Sequence, residues 1–364
     1  MAREMNRKLV LEDGEEYVGY GFGAPVERVC RIVFDTSMVG YQEIVTDPSC
    51  TDLAVLMTYP LIGNYGTADE DNESLIPTLG ALIVSEYNDS PSNFRSTKTL
   101  AEMLEDAGIP GIEIADTRRL TRSIRDNGSR RCILTDIQTS KEEAIKKIAE
   151  SEIPHDAVSR VSCRRRWYSK TANPRYHVVV VDCGIKLSIV RILNANGCNV
   201  TVVPYNTGAE EILAMRPDGV FLSDGPGAPE DVPSLVTLVR ALRGRVPMFA
   251  NGLGHQIIAL AYGAKTYEMR FGRGGGQPVQ SVSDGKLSTV SGNHIYAVSA
   301  ATLEGTGLTL THRNLLDGTA EGMCAEKDKL FSVQYQPESA SGAHDHTNLF
   351  DRFLTMMEEG KHHA

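Results

Sequence analysis

The sequence lacks several features that would define a simple class of protein. It contains no apolar run of ~18 residues, so no membrane-spanning helix is predicted. Residues 1–7 lack the apolar core of a secretory signal. The seven cysteines are odd in number and form no CxxC pair, so neither a disulfide framework nor a metal site is predicted. These absences favour a cytoplasmic protein with buried, reduced thiols.

Positive charge is also in short supply. The chain has 37 Lys and Arg residues against 47 Asp and Glu residues, a formal net charge of -10. This balance disfavours nucleic acid and anionic membrane surfaces as partners. The one basic cluster, residues 164–166, is short and typical of a solvated surface segment. A length of 364 residues with 41% hydrophobic residues indicates two globular domains.

The pattern of predicted elements divides the chain into three parts. Residues 1–150 combine β-branched strands with a glycine-terminated helix at 99–108, which predicts a mixed α+β domain. Residues 151–175 are polar and weakly periodic, and predict a linker. Residues 176–364 alternate apolar strands with helices, which predicts a mostly parallel sheet. The predicted fold class is α/β, and ligands of such sheets bind at the carboxyl ends of the strands.

The most informative segment is a tight turn with Gly252 at its apex, between a predicted strand at 246–250 and a predicted helix at 256–262. Such a turn presents the nucleophile of α/β hydrolases and amidotransferases. A side chain there would lie over the helix N-terminus, where the pKa of a thiol falls and N–H groups stabilise an oxyanion. Glycine adopts the strained turn but supplies no nucleophile. An ordinary strand–helix turn is the alternative.

Two further loops follow predicted strands. Gly225 and Gly227 flank a proline in a loop whose N–H groups suit a carboxylate or an oxyanion. Glu338 lies two residues beyond Gln336, a spacing at which an acid could orient a catalytic base. A neutral amide does not accept a proton near pH 7, so Gln336 is not a general base. Plain polar turns remain the alternative for both loops.

Together these motifs resemble a known family. Residues 176–364 resemble a class I, triad-type glutamine amidotransferase, and the chain from about Leu9 to Met357 is similar to the small subunit of carbamoyl phosphate synthetase. The N-terminal motifs typical of that small subunit lie at residues 11–14, 34–38, 40–44, 46–49, 58–64, 108–112 and 116–122. The resemblance implies an N-terminal small-subunit domain and a C-terminal amidotransferase-like domain.

The resemblance also assigns roles to positions in the catalytic motifs. The family has a cysteine nucleophile where this chain has Gly252, and a histidine base where it has Gln336, whereas the acid Glu338 is retained. Two changes so far apart in sequence indicate that glutamine hydrolysis is no longer under selection. We therefore expect the glutaminase of this chain to be inactive.

The glutamine-binding positions of the family are matched in part. Ile295 and Tyr296 stand where the family has glycine and phenylalanine, and the branched Ile295 is expected to crowd the pocket. The positions that match the family's motifs are Ser49, Gly225, Gly227, Leu253, Gln256 and Asn293.

The resemblance implies a function in pyrimidine or arginine biosynthesis, as a structural or regulatory partner of the large synthetase subunit. The chain has no ATP-grasp or P-loop motif, so it needs no cofactor itself, and ATP and a divalent metal belong to the large subunit. That subunit would then use free ammonia. One alternative is a regulatory pseudoenzyme outside carbamoyl phosphate synthesis, with glutamine as a candidate ligand. Another is an enzyme for a different substrate that has recruited His255 or Cys183.

Overall fold

The computed structural model describes residues 4–338 and 348–362. The chain divides into two compact units: Met1–Pro154 with Arg270–Gly275, and His155–Met269 with Gly276–Ala364. Within the described ranges, no helix is long and apolar enough to cross a membrane.

The first unit is built around a small barrel. Its strands are β1 (Arg7–Leu11), β2 (Glu16–Gly23), β3 (Arg28–Asp35), β4 (Leu53–Met57), β5 (Leu61–Ile62), β6 (Ala81–Val84), β7 (Glu86–Tyr87), β8 (Pro110–Glu113) and β9 (Arg131–Asp136). Its helices are α1 (Tyr41–Val45), α2 (Leu100–Asp106), α3 (Thr117–Asn127) and α4 (Lys141–Glu150). In the described part of this unit, seven strands close in the order β1-β2-β8-β6-β4-β3-β9. The predicted mixture of helices and strands is confirmed.

Closure of this barrel depends on pairing between distant strands. β1 runs antiparallel to β9, with Leu9 opposite Leu134. Three parallel pairs continue the barrel: β3 with β4, β4 with β6, and β6 with β8. Ile32, Leu56 and Ile83 are fully buried in the same apolar cluster as Leu9 and Leu134. The first unit therefore has a core of its own.

The second unit is an α/β sheet with helices on both faces. Its strands are β10 (Trp167–Ser169), β11 (Tyr176–Asp182), β12 (Cys198–Pro204), β13 (Gly219–Leu222), β14 (Met248–Asn251), β15 (Thr266–Ser281), β16 (Leu287–Val298), β17 (Thr309–Asn314), β18 (Ala320–Ala325) and β19 (Leu330–Val333). Its helices are α5 (Ala157–Val161), α6 (Leu187–Ala195), α7 (Ala209–Ala214), α8 (Pro233–Leu242), α9 (Leu253–Ala261) and α10 (Asn348–His362). The middle of β15 belongs to the first unit.

The strand order in this sheet is β10-β12-β11-β13-β14-β19-β18-β16-β15-β17. Adjacent strands in the part β12-β11-β13-β14-β19 pair in parallel. β10 pairs antiparallel with β12, and β18 pairs antiparallel with both β17 and β19. The predicted α/β class is confirmed, with the parallel pairs at the centre. β13, β14 and β19 are neighbours in this parallel part, so the segments that follow them meet at one edge of the sheet.

Alternating valines in β11 show why this sheet is covered on both faces. Val178 and Val180 belong to an apolar cluster with residues of α6 and α10. Val179 and Val181 belong to a second cluster with residues of α8 and α9. A continuous apolar strand is expected where helices cover both faces of a parallel sheet.

The predicted linker at residues 151–175 contains regular structure. It includes α5 and β10, and β10 pairs antiparallel with β12, with Trp167 opposite Val202. Trp167 is partly buried against the apolar cluster of α6 and α10, which explains why this polar segment is ordered. The domain boundaries at 150 and 175 stay a prediction.

Candidate functional site

The turn at Gly252 has the backbone of a nucleophile elbow. Gly252 follows β14 directly, precedes α9, and has φ 52° and ψ -116°. Its N–H donates to the carbonyl oxygen of Val333 at 3.0 Å, so the neighbouring strand β19 fixes the turn. The predicted strand–turn–helix is confirmed. A residue with a side chain adopts this left-handed conformation at a cost, and glycine does so freely.

A carboxylate lies against the apex of the turn. Asp224 follows β13 and is 6% exposed. Its Oδ1 accepts hydrogen bonds from the backbone N–H of Leu253 at 2.8 Å and of Gly225 at 2.7 Å. A Cβ added at Gly252 would lie closer than 3.0 Å to Cγ and to both carboxylate oxygens of Asp224. The space above Gly252 is therefore filled by another side chain.

Buried polar contacts hold Asp224 in this place. The Oδ1 atom of Asn251, which is 1% exposed, accepts from the N–H of Asp224 at 3.0 Å. The hydroxyl of Ser223 donates to the carbonyl oxygen of Asp224 at 2.8 Å and accepts from the N–H of Cys183 at 2.9 Å. A role for Asp224 was not predicted from the sequence. The usable signal was an acid placed directly before Gly225, at the end of a strand beside the elbow.

Gln336 and Glu338 lie at the same edge of the sheet, beyond β19. Gln336 is 2% exposed, and its N–H donates to the carbonyl oxygen of Ser291 at 2.9 Å. β19 runs parallel to β14 with Val333 opposite Asn251. The two segments that the sequence assigned to nucleophile and base therefore follow neighbouring strands.

Glu338 forms a buried ion pair. Its Oε1 lies 2.9 Å from Nζ of Lys186, and the two side chains are 0% and 4% exposed. Lys186 precedes α6 directly. A buried charge is tolerated when it is paired and hydrogen-bonded, so each member of this pair stabilises the other. Lys186 was not predicted from the sequence, because no local pattern links residues so far apart in the chain.

The predicted glutamine-binding positions are brought together in part. The amide of Gln256 donates to the carbonyl oxygen of Tyr296 at 2.9 Å and to Oε1 of Gln334 at 3.2 Å. Asn293 and Ile295 lie on β16 with Tyr296, and all three are half-buried. These contacts join α9, β16 and the end of β19 within the second unit.

The remaining predicted positions lie elsewhere in the structure. Gly227 has φ 85° and lines a cavity of about 160 Å³, next to Asp231, which forms a 2.9 Å contact with His155. Ser49 belongs to the first unit, where its N–H and its hydroxyl both donate to Oδ1 of Asp47, at 2.9 and 2.6 Å. Their roles in binding glutamine stay a prediction.

His255 and Cys183 lack the features of a recruited catalytic group. Burial lowers the pKa of His255 to about 4, and its ring nitrogens contact Oγ of Ser332 at 2.9 Å and the carbonyl oxygen of Ala320 at 3.2 Å. Burial, with the nearby Asp182, raises the pKa of the Cys183 thiol well above its usual value. A buried, protonated thiol is a poor nucleophile, and His255, which is 0% exposed, is not accessible to a substrate.

Models of two protein families match the chain on either side of residue 150. The model of the carbamoyl-phosphate synthase small chain, CPSase domain, matches residues 9–134. The model of the class-I glutamine amidotransferase matches residues 179–356, the range that contains the elbow and Glu338. The fold and the elbow of the second unit thus define an amidotransferase-type domain.

Similarity to curated proteins extends over almost the whole chain. The carbamoyl phosphate synthase small chain of Fusobacterium nucleatum is 46% identical over 358 residues, which cover 97% of this chain and 98% of that protein. The small chain of Listeria innocua is 45% identical over 98% of this chain and 99% of that protein. The chain belongs to the carbamoyl phosphate synthase small chain family.

The chain is also similar to a pyrimidine-specific small chain and to a solved structure. The pyrimidine-specific small chain of Halalkalibacterium halodurans is 46% identical, with 99% of each chain covered. Among solved structures, a putative GMP synthase subunit from Thermoplasma acidophilum is 20% identical, with a TM-score of 0.45. The similarity covers 51% of this chain and 96% of that one.

Proposed function

We propose that this chain is the small subunit of a carbamoyl phosphate synthase, that it binds a large synthetase subunit, and that it does not hydrolyse glutamine. The observation that carries the proposal is the pair of residues at the elbow and beyond β19. Gly252 has no nucleophilic atom, and the amide of Gln336 does not accept a proton near neutral pH. In another triad hydrolase, removal of the nucleophile or the base lowers kcat roughly 10⁶-fold.

The surroundings of these two residues support the proposal. Glu338, the candidate acid of a triad, is paired with Lys186. His255 is held neutral in the core, and the thiol of Cys183 is buried and protonated. None of these groups supplies the nucleophile and base that amide hydrolysis needs.

The similar proteins suggest the partner and the pathway. Those named above are small chains of a synthase, and a small chain implies a large one. One of them is named pyrimidine-specific, so we place this chain in pyrimidine biosynthesis. The large subunit would hold ATP and a divalent metal and would take its nitrogen from free ammonia. This chain would contribute structure or regulation.

A test compares two nitrogen sources in the reconstituted complex of this chain with its large subunit. We expect carbamoyl phosphate to form with ammonium chloride and not with glutamine, and we expect no release of glutamate from glutamine above background. The isolated large subunit is the control for ammonia-dependent synthesis. Glutamate release that depends on this chain would contradict the proposal, and failure of the two chains to associate would contradict the assignment of the partner.

Glutamine binding is a separate question about the same site. The branched side chain of Ile295 is expected to weaken binding, because the family's motif has glycine at that position. Calorimetry should therefore detect no heat of glutamine binding to the full chain. The variant Ile295→Gly is the matched comparison. Tight binding of glutamine to the unmodified chain would show that Ile295 does not block the pocket, and would favour a regulatory role for bound glutamine.

A further inference from the structure

Two backbone N–H groups converge on one oxygen atom at the elbow. The N–H groups of Leu253 and Gly225 donate to Oδ1 of Asp224 at 2.8 and 2.7 Å. Donors that stabilise a tetrahedral intermediate lie 2.7–3.1 Å from the position of its oxyanion. Oδ1 of Asp224 therefore occupies the position that an oxyanion would take.

The rest of the carboxylate occupies the position of a nucleophile's side chain. A Cβ added at Gly252 would lie closer than 3.0 Å to Cγ, Oδ1 and Oδ2 of Asp224. Such an approach is far inside van der Waals contact, so a cysteine at residue 252 and the present position of Asp224 exclude one another. The N-terminus of α9, a helix of nine residues, also favours a negative charge at this place.

The position of Asp224 is built into the fold. Its N–H donates to Asn251, the residue before the apex, and its carbonyl oxygen accepts from Ser223. Asn251, Ser223 and Asp224 are all at least nine-tenths buried. The backbone of Asp224 is thus fixed on both sides, and its carboxylate is directed at the two N–H groups.

We propose that Asp224 is an internal anion that occupies the oxyanion position of the elbow and closes the site to an external carboxylate or amide. An active elbow needs a space for the side chain of the nucleophile and a pocket for an anion. The side chain of Asp224 fills both. Its catalytic consequence rests on the proposed function above. A cysteine at residue 252 and the carboxylate of Asp224 compete for the same place. The variants Gly252→Cys and Gln336→His together are therefore expected to restore little glutaminase until Asp224 is replaced as well.

The first test asks whether Asp224 closes an anion pocket in the otherwise unmodified chain. The full chain is labelled with ¹⁵N-leucine and ¹⁵N-glycine and titrated with acetate, a small carboxylate. In Asp224→Ala, the amide signals of Leu253 and Gly225 should shift with saturation, whereas in the unmodified chain they should not respond. Asp231→Ala, which removes an acid from the same unit, is the matched control and should behave as the unmodified chain does.

Two results of this titration would overturn the proposal. One is a response of the unmodified chain equal to that of Asp224→Ala, which would mean that the pocket is open. The other is a folded Asp224→Ala chain whose two amides ignore acetate, which would mean that the N–H groups form no anion pocket.

The second test introduces a thiol at the apex. In Gly252→Cys the neighbouring carboxylate should obstruct the thiol and raise its pKa, so alkylation by iodoacetamide at neutral pH should be slow. Adding Asp224→Ala should accelerate alkylation about tenfold or more, since one unit in pKa changes the thiolate fraction about tenfold. Gly263→Cys, at the opposite end of α9 in open space, is the control whose rate Asp224→Ala should not change. Equal rates at residue 252 with and without Asp224 would refute the proposal.

The third test measures glutaminase in the complex with the large subunit. The chain with Gly252→Cys, Gln336→His and Asp224→Ala should exceed the chain with the first two changes by roughly 100-fold, because one oxyanion donor contributes roughly 10²–10³ in kcat. Equal activities would count against a blocking role for Asp224. Hydrolysis by the unmodified complex would instead refute the proposed function, and the acetate and alkylation results would still decide the role of Asp224.

Discussion

The elbow and the end of β19 differ in what lies beside Gly252 and Gln336, the two residues at which the sequence predicts a departure from the family pattern. At the elbow, Gly252 keeps the strained turn, and the carboxylate of Asp224 fills the space above it. At the end of β19, Gln336 is buried close in sequence to Glu338, which is ion-paired with Lys186. At the elbow a carboxylate packs over a glycine, and at the end of β19 a buried ion pair lies two residues from a neutral amide in the sequence.

The difference teaches that the structure restricts substitutions at residues 252 and 336 unequally. A side chain at residue 252 must displace a buried carboxylate that accepts two hydrogen bonds. The ion pair of Glu338 with Lys186 does not depend on the residue at 336 being a base. The predictions below test this contrast.

The largest effect is expected at the ion pair. Glu338→Gln leaves the buried ammonium of Lys186 without its carboxylate partner, so the free energy of unfolding should fall by about 3–5 kcal/mol. Denaturant unfolding of the full chain measures the change. The double variant Lys186→Met with Glu338→Gln is the matched control and should recover part of the loss. A loss below about 1 kcal/mol for Glu338→Gln would show that this end of the site is not held by charge.

A second prediction concerns His255, which connects the elbow helix α9 to β18 and β19. Its pKa is lowered from 6.5 to about 4 in the folded chain, so the unfolded chain binds more protons between these values. The stabilisation is therefore complete above about pH 6.5 and is lost as pH falls towards about 4, by about 3 kcal/mol.

The comparison that isolates this effect is the variant His255→Gln. Because carboxylates titrate in the same window, the difference in unfolding free energy between the two proteins is followed from pH 7 to pH 4. The unmodified chain should lose more stability over this range than the variant. Parallel curves would show that the imidazole is not held neutral by burial.

The smallest effect is expected from a methyl group at the apex. Gly252→Ala should destabilise the chain more than Gly263→Ala, by about 1–3 kcal/mol, because the added Cβ meets Asp224. Gly263 has φ 91° and open space around it, so its variant isolates the conformational cost of a positive φ. In an Asp224→Ala background the difference between the two variants should shrink, because the contact of the added Cβ with Asp224 is removed. Equal losses of stability for Gly252→Ala and Gly263→Ala in the unmodified background would show that the contact with Asp224 adds no steric cost.

Much of the fold was accessible from sequence pattern. The alternation of apolar strands with helices after residue 176 and the strand–turn–helix at Gly252 were predicted and are confirmed, because each is encoded within a few residues. The strand β10 and its pairing with β12 were not predicted. They depend on pairing between Trp167 and Val202, and such pairing is settled by packing between distant segments.

The candidate site also combines features that are encoded locally with features that depend on contacts between distant segments. The glycine at 252 and the amide at 336 are visible in the sequence because motifs fix their neighbours. Asp224 and Lys186 were missed, because their significance comes from partners on other elements. Lys186 and Glu338 are 152 residues apart in sequence and yet form the buried pair.

The sequence by itself therefore determined the family resemblance, the alternation of strands and helices, and the chemical groups present at residues 252 and 336. These properties are local, and a short motif is enough to specify them. Only the tertiary structure decided that Asp224 fills the apex and that Lys186 neutralises Glu338. Both contacts arise at the edge of the sheet where the parallel strands end and the helices α6 and α9 begin, and the strand order of the folded sheet brings these ends together.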